Sequence, residues 1–252
     1  MNSEIRSYSA TNIAELFDAI VYITRVYDID MWWRGQAQVE WELTPSLHHK
    51  GLARYEANMA IRFQNYAAVR HQDVPETTDR VRWLFLMQHY GLPSRLLDWT
   101  NAPLTALFFA VREKKHYDRD GVLWGLVAAK LNKFQLNNEV IVGFSSPAIR
   151  KLFDDVYVAD AAASNDERIV AVASPHFDLR QMAQASEFTI HGSGRPLEQL
   201  DNAKEFLFRI VIPKSSKKAF AQTLDLLHIH EASLFPDLEH LARHLASLKY
   251  DH

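Results

Sequence analysis

Residues 88–100 read QHYGLPSRLLDWT, and this is the most unusual composition in the chain. Residues 95–98, with Leu96 and Leu97 at their centre, are a candidate for a buried strand. Thr100 or Asn101 is then placed to cap a helix over residues 103–112, because short polar side chains accept hydrogen bonds from the first free N–H groups of a helix. The stretch therefore predicts a strand, a cap and a helix in direct succession.

A second stretch, residues 32–36, reads WWRGQ. Residues 30–33 are a candidate for a short strand that runs directly into Arg34 and Gly35. Glycine permits a turn at this point that a β-branched residue does not adopt. We therefore expect Arg34 to lie at the end of a strand.

The rest of the chain alternates between helical and strand periodicity. Apolar residues recur at helical spacing over 12–27, 52–72, 77–90, 219–227 and 238–248, with Gly91 ending the third of these helices and Pro236 opening the last. Alternation and β-branched residues indicate strands over 122–127, 168–173, 187–191 and 205–212. No Gly- or Ser-rich linker interrupts this order. We predict a single α+β domain over residues 1–252, with a helical insertion at about 52–90 and flanking N- and C-terminal helices.

The composition restricts the class of protein. The chain has 252 residues, of which 48% are hydrophobic and 23% charged, as is typical of a folded protein. It has no Cys, and this excludes disulfides, thiolate catalysis and Cys-ligated zinc. A net charge of -3 argues against a protein that coats nucleic acid through a basic surface. The N-terminus is polar and no apolar run reaches the roughly 18–20 residues of a membrane span, so we expect a soluble, cytoplasmic chain with no membrane partner.

Other catalytic signatures are weak. The pairs His228/His230 and His240/His244 have spacings that suit zinc, but the Glu of a metalloprotease motif is missing from both, and we predict no metal. The sequence has no Gly-rich phosphate loop, which excludes Walker-type and Rossmann-type nucleotide sites. It has no Gly-x-Ser-x-Gly elbow, so a hydrolase serine has little support.

The two quoted stretches resemble a known family when they are taken with WELTPSL at residues 41–47 and ALFFA at residues 106–110. Together they closely resemble the FRG domain, which is named for an aromatic-Arg-Gly motif. Trp33 stands where that family often has Phe or Tyr. The resemblance extends from around Tyr27 to residues 234–238.

The resemblance implies an arrangement like that of ADP-ribosyltransferases, with a mixed β-sheet core. In that superfamily one strand ends in Arg-Gly or His-Gly, a later strand carries Ser or Thr before a helix, and a third strand presents Glu or Gln. These motifs fall on Arg34-Gly35, on residues 98–100 and on residues 184–188 of this chain. FRG relatives tend to have Gln-Gln-Gly, a variable residue and Phe at the third place, where only Gln184 and Phe188 match.

The implied activity is transfer of ADP-ribose from NAD to a macromolecular acceptor, a nucleic acid or a protein, as in a toxin or phage-defence effector. A regulatory partner is compatible with this role. Cleavage of the nicotinamide–ribose bond passes through an oxocarbenium-like transition state, which requires a carboxylate or amide near the ribose hydroxyls, here Glu187 or Gln184. The pyrophosphate suits a guanidinium such as that of Arg34 or Arg95.

An aromatic face suits the positively charged nicotinamide ring, and Tyr90 and Trp99 are candidates for it. The full set of candidate cofactor-binding residues is Arg34, Gly35, Gln36, His89, Tyr90, Arg95, Trp99 and Thr100.

The alternative is a noncatalytic binding or interaction module. In that case Arg34 bridges a carboxylate such as Asp98 and joins the two stretches, the large aromatic residues form the core, and Glu187 faces solvent from an alternating strand. The two hypotheses predict different surfaces. The enzyme needs an open cleft that holds Arg34, Thr100 and Gln184 or Glu187. The module predicts a closed Arg34–Asp98 pair and no cleft of roughly 300–1,000 Å³.

Overall fold

Eight strands form one mixed β-sheet within the residues that the computed structural model describes, namely 4–27, 31–70, 73–158, 166–174 and 177–248. The strands are β1 (Arg6–Ser9), β2 (Trp32–Gln36), β3 (Leu96–Thr100), β4 (Gly121–Leu126), β5 (Val142–Gly143), β6 (Ile169–Ala173), β7 (Ser186–His191) and β8 (Leu207–Ile212). They lie in the order β1-β8-β4-β2-β3-β7-β6-β5. The two outermost pairs, β1 with β8 and β5 with β6, are parallel, and every other neighbouring pair is antiparallel.

Eleven α-helices accompany the sheet in the same described ranges. They are α1 (Ile13–Tyr27), α2 (Ser46–His49), α3 (Glu56–Ala67), α4 (Arg80–His89), α5 (Pro103–Val111), α6 (Ala128–Leu136), α7 (Arg150–Asp154), α8 (Leu179–Ala183), α9 (Lys217–Leu226), α10 (Glu231–Leu234) and α11 (Leu238–Ser247). The α+β class is therefore confirmed. Helices α2, α3 and α4 lie between β2 and β3, and α3 and α4 fall within the helical insertion predicted at about 52–90.

The strands predicted from the second half of the sequence are confirmed, since β4, β6, β7 and β8 begin and end within two residues of them. The edge strands β1 and β5 are absent from the sequence-based prediction. β1 reads RSYS, without apolar alternation, and β5 has only 2 residues. Each is held by parallel pairing with a longer strand, which is a tertiary contact that local periodicity does not record.

Helix α5 begins differently from the prediction. Its N-cap is Ala102, whereas Thr100 is still part of β3. The Thr100 hydroxyl nevertheless stabilises this junction, because its Oγ1 accepts a hydrogen bond from the Ala102 N–H at 3.0 Å. The strand thus leads to the helix with two residues, Asn101 and Ala102, between them.

Other helix ends also depart from the predicted ones. The region predicted as one helix over 52–72 contains a 3₁₀ turn at Ala53–Tyr55 followed by α3, and residues 71–72 lie outside the described part of the chain. The last helix is capped by Asp237 rather than opened by Pro236, since the Asp237 carboxylate accepts the His240 N–H at 2.9 Å. Gly91 follows α4 with a φ of +79°, as the predicted helix end requires.

The prediction for the Arg34-Gly35 pair is wrong in its geometry. Arg34 lies in the middle of β2, which pairs with β4 along its whole length, and residue 30 of the predicted strand lies outside the described residues. Gly35 makes no turn. Instead, a Cβ at this position would lie 1.7 Å from the carbonyl oxygen of Ala106 in α5. Glycine is needed here because it lets the helix pack directly on the strand.

Large aromatic side chains fill the core, as the composition predicts. Trp32, Trp33, Trp83 and Trp99 are all buried. One hydrophobic cluster joins β2, β4 and β8 to α1, α5 and α9. A second cluster packs α3, α4 and α7 against residues of β3, β6 and β7. The helices between β2 and β3 therefore cover the β3–β7–β6 half of the sheet.

Within the described ranges, no helix combines the length and the apolar character that a membrane span requires.

Substitution of Gly35 by Ala tests the contact between β2 and α5. We expect Gly35→Ala to lower the free energy of unfolding by roughly 3 kcal/mol, because the added methyl group forces the helix away from the strand. The measurement is urea unfolding followed by circular dichroism.

The matched control is Gly143→Ala in β5, where an added Cβ has no atom within 4 Å and φ is not positive. An equal, small effect of the two substitutions would contradict the packing role of Gly35.

Candidate functional site

The sheet is open between its two central strands. β3 pairs with β7 along its whole length, but β2 and β3 are paired at one position only, Trp33 with Thr100. Beyond that position the strands diverge, and a side chain joins them. Arg34 Nη1 donates a hydrogen bond of 2.8 Å to the backbone carbonyl oxygen of Asp98. The predicted bridge between the two stretches therefore exists, but it uses the Asp98 carbonyl and not the Asp98 carboxylate.

Two cavities adjoin this bridge, and Arg34 and Asp98 line both of them. The first, here called the Thr100 cavity, has a volume of about 210 Å³, and its polar lining residues are Arg34, Asp98, Thr100, Thr105, Arg180 and Gln184. The second, here called the Thr44 cavity, has a volume of about 380 Å³, and its lining includes Gln36, Trp41, Thr44, His49 and Gln88. The structure thus brings Arg34, Thr100 and Gln184 together in one cavity.

Arg34 is the central cation of this region. Burial lowers the pKa of its guanidinium and the nearby Asp98 carboxylate opposes that effect, but an arginine keeps its charge in either case. Its Nε is buried and has no hydrogen-bond partner among the described residues. Arg180 adds a second guanidinium to the Thr100 cavity, with its Cζ 4.7 Å from the centre of the Phe235 ring. Two guanidinium groups and one carboxylate give this cavity a positive balance that favours an anion.

The two candidate residues of the third motif lie in different places: Gln184 lines the Thr100 cavity and Glu187 lies in the core. Gln184 lines the Thr100 cavity, its backbone carbonyl accepts a 2.6 Å hydrogen bond from Thr100 Oγ1, and its side-chain Nε2 donates to Leu234 O at 3.0 Å. Glu187 lines neither cavity. It is buried, and its two oxygens accept hydrogen bonds from Asn101 Nδ2 at 3.0 Å and from Ser174 N at 2.7 Å. The interpretation of Glu187 as a solvent-facing charge is therefore wrong.

Arg95 lies in the core beside the cavities. Its Nε donates to the two carboxylate oxygens of Glu56 at 2.9 and 3.1 Å, its Nη2 also binds Glu56, and its Nη1 donates to Leu152 O at 3.1 Å. Both side chains of this pair are buried. Arg95 thereby ties β3 to α3 and α7, and every guanidinium nitrogen is in use.

The remaining sequence-predicted residues have separate surroundings. Gln36 lines the Thr44 cavity, where its amide bonds Glu42 O and Trp124 Nε1. His89 lines neither cavity, and its Nδ1 lies 2.9 Å from Asp178 Oδ2. Tyr90 is 56% exposed and lines neither cavity.

Trp99 lines the Thr100 cavity and begins a buried polar chain. Its Nε1 donates to Thr189 Oγ1 at 3.1 Å, and that oxygen lies 2.9 Å from His191 Nε2. Burial, followed by the charges of His48 and Arg34, lowers the pKa of His191 well below its ordinary value. Burial, followed by the charge of Arg95, lowers the pKa of His48 to about 4. Neither histidine is evident from the sequence, because neither belongs to a motif and only the fold brings His191 near Arg34 and His48 near Arg95.

Two further residues were not predicted from the sequence: Arg180, and Gln88, whose Nε2 donates a hydrogen bond of 2.6 Å to Asp98 Oδ1. Arg180 comes from α8, which no motif marks, and only tertiary packing brings it to the cavity. Gln88 stands inside the first quoted stretch, so a signal for it was present, but its partner was not evident.

In the described part of the chain, no group of three or more His, Asp or Glu side chains is arranged to hold a metal ion. His230 and His244 stack, with ring centres 3.9 Å apart.

The two depressed histidine pKa values predict a pH dependence of stability. Both histidines stay neutral in the folded protein, whereas in the unfolded chain they bind protons below about pH 6.5. Stability should therefore fall as the pH decreases from about 6.5 towards 4, by up to about 1.4 kcal/mol per pH unit for each histidine. Urea unfolding at about pH 7 and about pH 5.5 measures this loss.

His48→Gln should reduce the pH dependence, whereas the same change at the neighbouring exposed His49 should leave it unaltered. A pH dependence that is the same in wild type and in His48→Gln would show that His48 is not responsible.

The comparisons with known proteins identify one family. The family model of the FRG domain matches residues 30–119, a range that contains β2, β3 and α5 together with Arg34, Gln88 and Asp98. Residues 184–188 lie outside the matched range. None of the curated proteins and none of the solved structures compared with the chain matches it. The chain therefore contains an FRG domain over residues 30–119.

Proposed function

We propose that this FRG-domain protein binds NAD at the Arg34–Asp98 opening and transfers its ADP-ribose group, as an ADP-ribosyltransferase-like enzyme. One observation carries the proposal. Arg34, Thr100 and Gln184, which come from the three motifs of the resemblance, line a single cavity at the point where β2 and β3 diverge. Residues that are distant in sequence and converge on a cavity with perturbed ionisable groups are typical of a functional site.

The chemistry of the lining supports a dinucleotide. The guanidinium groups of Arg34 and Arg180 suit a pyrophosphate, which arginine binds in a planar, bidentate geometry. Phe109 provides aromatic surface for a nicotinamide or adenine ring, whereas Trp99 is buried with its indole bound to Thr189. Arg95 is committed to Glu56, so we assign the pyrophosphate to Arg34 and Arg180 instead.

The size of the two cavities supports a ligand that extends past Arg34. The Thr100 cavity, at about 210 Å³, is below the roughly 300–1,000 Å³ of typical ligand sites, whereas the Thr44 cavity, at about 380 Å³, is within that range. We expect NAD to occupy the Thr100 cavity and to continue past Arg34. The mixed sheet, which the resemblance implies, also supports an ADP-ribosyltransferase-like core.

A noncatalytic module is the second candidate, and the contact between Arg34 and the Asp98 carbonyl favours it. In this alternative the guanidinium holds two strands together and binds no ligand. The module would recognise a partner through its surface without chemical turnover. The two functions differ in their response to NAD.

A thermal-shift titration with NAD distinguishes them. A ligand that binds only the folded state raises the melting temperature, by an amount equivalent to about 2.7 kcal/mol at a concentration of 100 times the Kd. For a chain of this size that corresponds to roughly 5–10 °C. We expect a saturable shift for the wild type and none for a folded Arg34→Ala variant.

The matched control is Arg119→Ala, which removes an exposed arginine that lies outside both cavities. It should keep the wild-type shift. If millimolar NAD leaves the wild-type melting temperature unchanged, the proposal of NAD binding is wrong and the module is favoured. A loss of stability in Arg34→Ala without ligand follows from the lost hydrogen bond to the Asp98 carbonyl under either function, so only the response of the folded variant to NAD distinguishes them.

A further inference from the structure

We propose that Asp98 is the catalytic carboxylate of the NAD-cleaving reaction and that Gln88 is its positioning residue. This inference rests on the proposed function and names the residue that acts in place of Glu187. Three observations carry it: the surroundings of Glu187, the exposure of Asp98, and a directed chain of hydrogen bonds that ends on Asp98.

The register of the sheet separates the two acids. Trp99 is paired with Glu187, and Asp98 is paired with Phe188. Directly paired residues lie on the same face of a sheet and successive residues lie on opposite faces, so Asp98 and Glu187 face opposite sides. On its side, Glu187 is buried with both oxygens occupied by Asn101 and Ser174. It has neither the access nor the free oxygen that contact with a ribose requires.

Asp98 has both the access and the free oxygen that contact with a ribose requires. It is the one exposed residue of β3. Among the described residues that line the Thr100 cavity it is the only acid, and it also lines the Thr44 cavity. The hydrogen bond to its carboxylate comes from Gln88 and uses Oδ1, which leaves Oδ2 for a ligand. The neighbouring Arg34 guanidinium places the proposed pyrophosphate site beside this carboxylate.

A chain of hydrogen bonds orients the Asp98 carboxylate. The Leu96 N–H donates to Ser94 Oγ at 3.2 Å, the Ser94 hydroxyl donates to Gln88 Oε1, and Gln88 Nε2 donates to Asp98 Oδ1 at 2.6 Å. Each donor fixes the direction of the next. Ser94 Oγ accepts a hydrogen bond from the Leu96 N–H and donates its own hydroxyl hydrogen to Gln88 Oε1. The Gln88 oxygen therefore faces Ser94, and its NH₂ group faces Asp98. This series of hydrogen bonds ends at Asp98 Oδ1, which accepts the last of them as an ionised carboxylate oxygen does.

This chain accounts for the spacing within QHYGLPSRLLDWT. Gln88, Ser94 and Asp98 are residues of that stretch, and the turn after α4 brings them together. A surface location alone does not explain why the Gln88 amide forms hydrogen bonds with both Ser94 and Asp98. The structure therefore assigns Gln88, Ser94 and Asp98, three polar residues of the stretch, to one task.

The proposed step is balanced. The bond between ribose C1′ and the nicotinamide nitrogen breaks, and its electron pair stays on that nitrogen, so that neutral nicotinamide leaves. The positive charge that develops at C1′ and the ring oxygen is stabilised by the Asp98 carboxylate. A lone pair of the acceptor, or of water when no acceptor is present, forms the new bond to C1′ and the acceptor proton passes to solvent. Nothing is oxidised or reduced.

The test measures nicotinamide release from NAD in water by chromatography, together with the NAD-dependent thermal shift. We expect Asp98→Asn to lower kcat at least about 100-fold while it keeps the thermal shift, because the substitution removes charge and little volume. Glu187→Gln should keep kcat within a few-fold of wild type, even if its melting temperature falls. Asp118→Asn, at an exposed aspartate outside both cavities, is the surface control.

Gln88→Ala tests the positioning role. We expect it to lower kcat by about 10-fold with an unchanged KM for NAD, because the carboxylate is still present but no longer held. A residue with a merely structural role would lower the melting temperature and leave the kcat of the folded enzyme unaltered.

The outcomes separate the two proposals. If the wild type binds NAD and releases nicotinamide, but Asp98→Asn stays active and Glu187→Gln does not, the role of Asp98 is overturned and the proposed function stands. If the wild type binds NAD but releases no nicotinamide, the catalytic role of Asp98 is overturned while NAD binding stands. If the wild type shows no NAD-dependent shift, both proposals fail.

Discussion

The hydrogen bond from Arg34 to the carbonyl oxygen of Asp98 allows the central sheet to be open. In a regular antiparallel ladder that oxygen would face a backbone N–H of the neighbouring strand. Here β2 and β3 part after Trp33 and Thr100, so the carbonyl needs another donor, and a guanidinium reaches it across the gap. An unpaired backbone acceptor at a sheet centre would be costly. The cavities on either side of Arg34 exist because a long side chain replaces a short backbone contact.

The opening is supported by close packing on one side and by an ion pair on the other. α5 contacts β2 directly, which is why residue 35 has no Cβ. The buried pair of Arg95 and Glu56 joins the start of β3 to the helices that cover it. A buried pair of this kind is costly to break, because the remaining partner would be a charge without compensation. These contacts hold β2 and β3 in fixed positions while the space between them stays accessible.

Successive side chains of β3 point alternately into the core and towards the cavities. Leu97 and Trp99 are buried, and the Trp99 indole is tied to Thr189. Asp98 between them is exposed and turns its carboxylate to Gln88. A strand places successive side chains on opposite faces, so a short motif serves the core and a cavity at once. This is why one stretch of the sequence contains both the most apolar and the most polar groups of the region.

Much of the fold followed from local patterns. Helices with a continuous apolar stripe and strands with β-branched alternation were predicted close to their observed bounds, because both signals arise within a few consecutive residues. β1 and β5 were not, since their pairing depends on strands far away in the chain. The geometry around Gly35 was misjudged for the same reason: its sequence neighbours suggest a turn, and the atom that requires a glycine belongs to Ala106.

The sequence by itself determined the α+β class and the FRG motifs, and it indicated Arg34, Thr100 and Gln184 as candidate site residues. Only the tertiary structure decided which acid is accessible. Asp98 and Glu187 are both carboxylates within strands, and no local pattern distinguishes them. The register between β3 and β7 places one on the open face and the other among buried donors. That register depends on pairing across some ninety residues of chain, and this is a distance over which amino-acid periodicity carries no information.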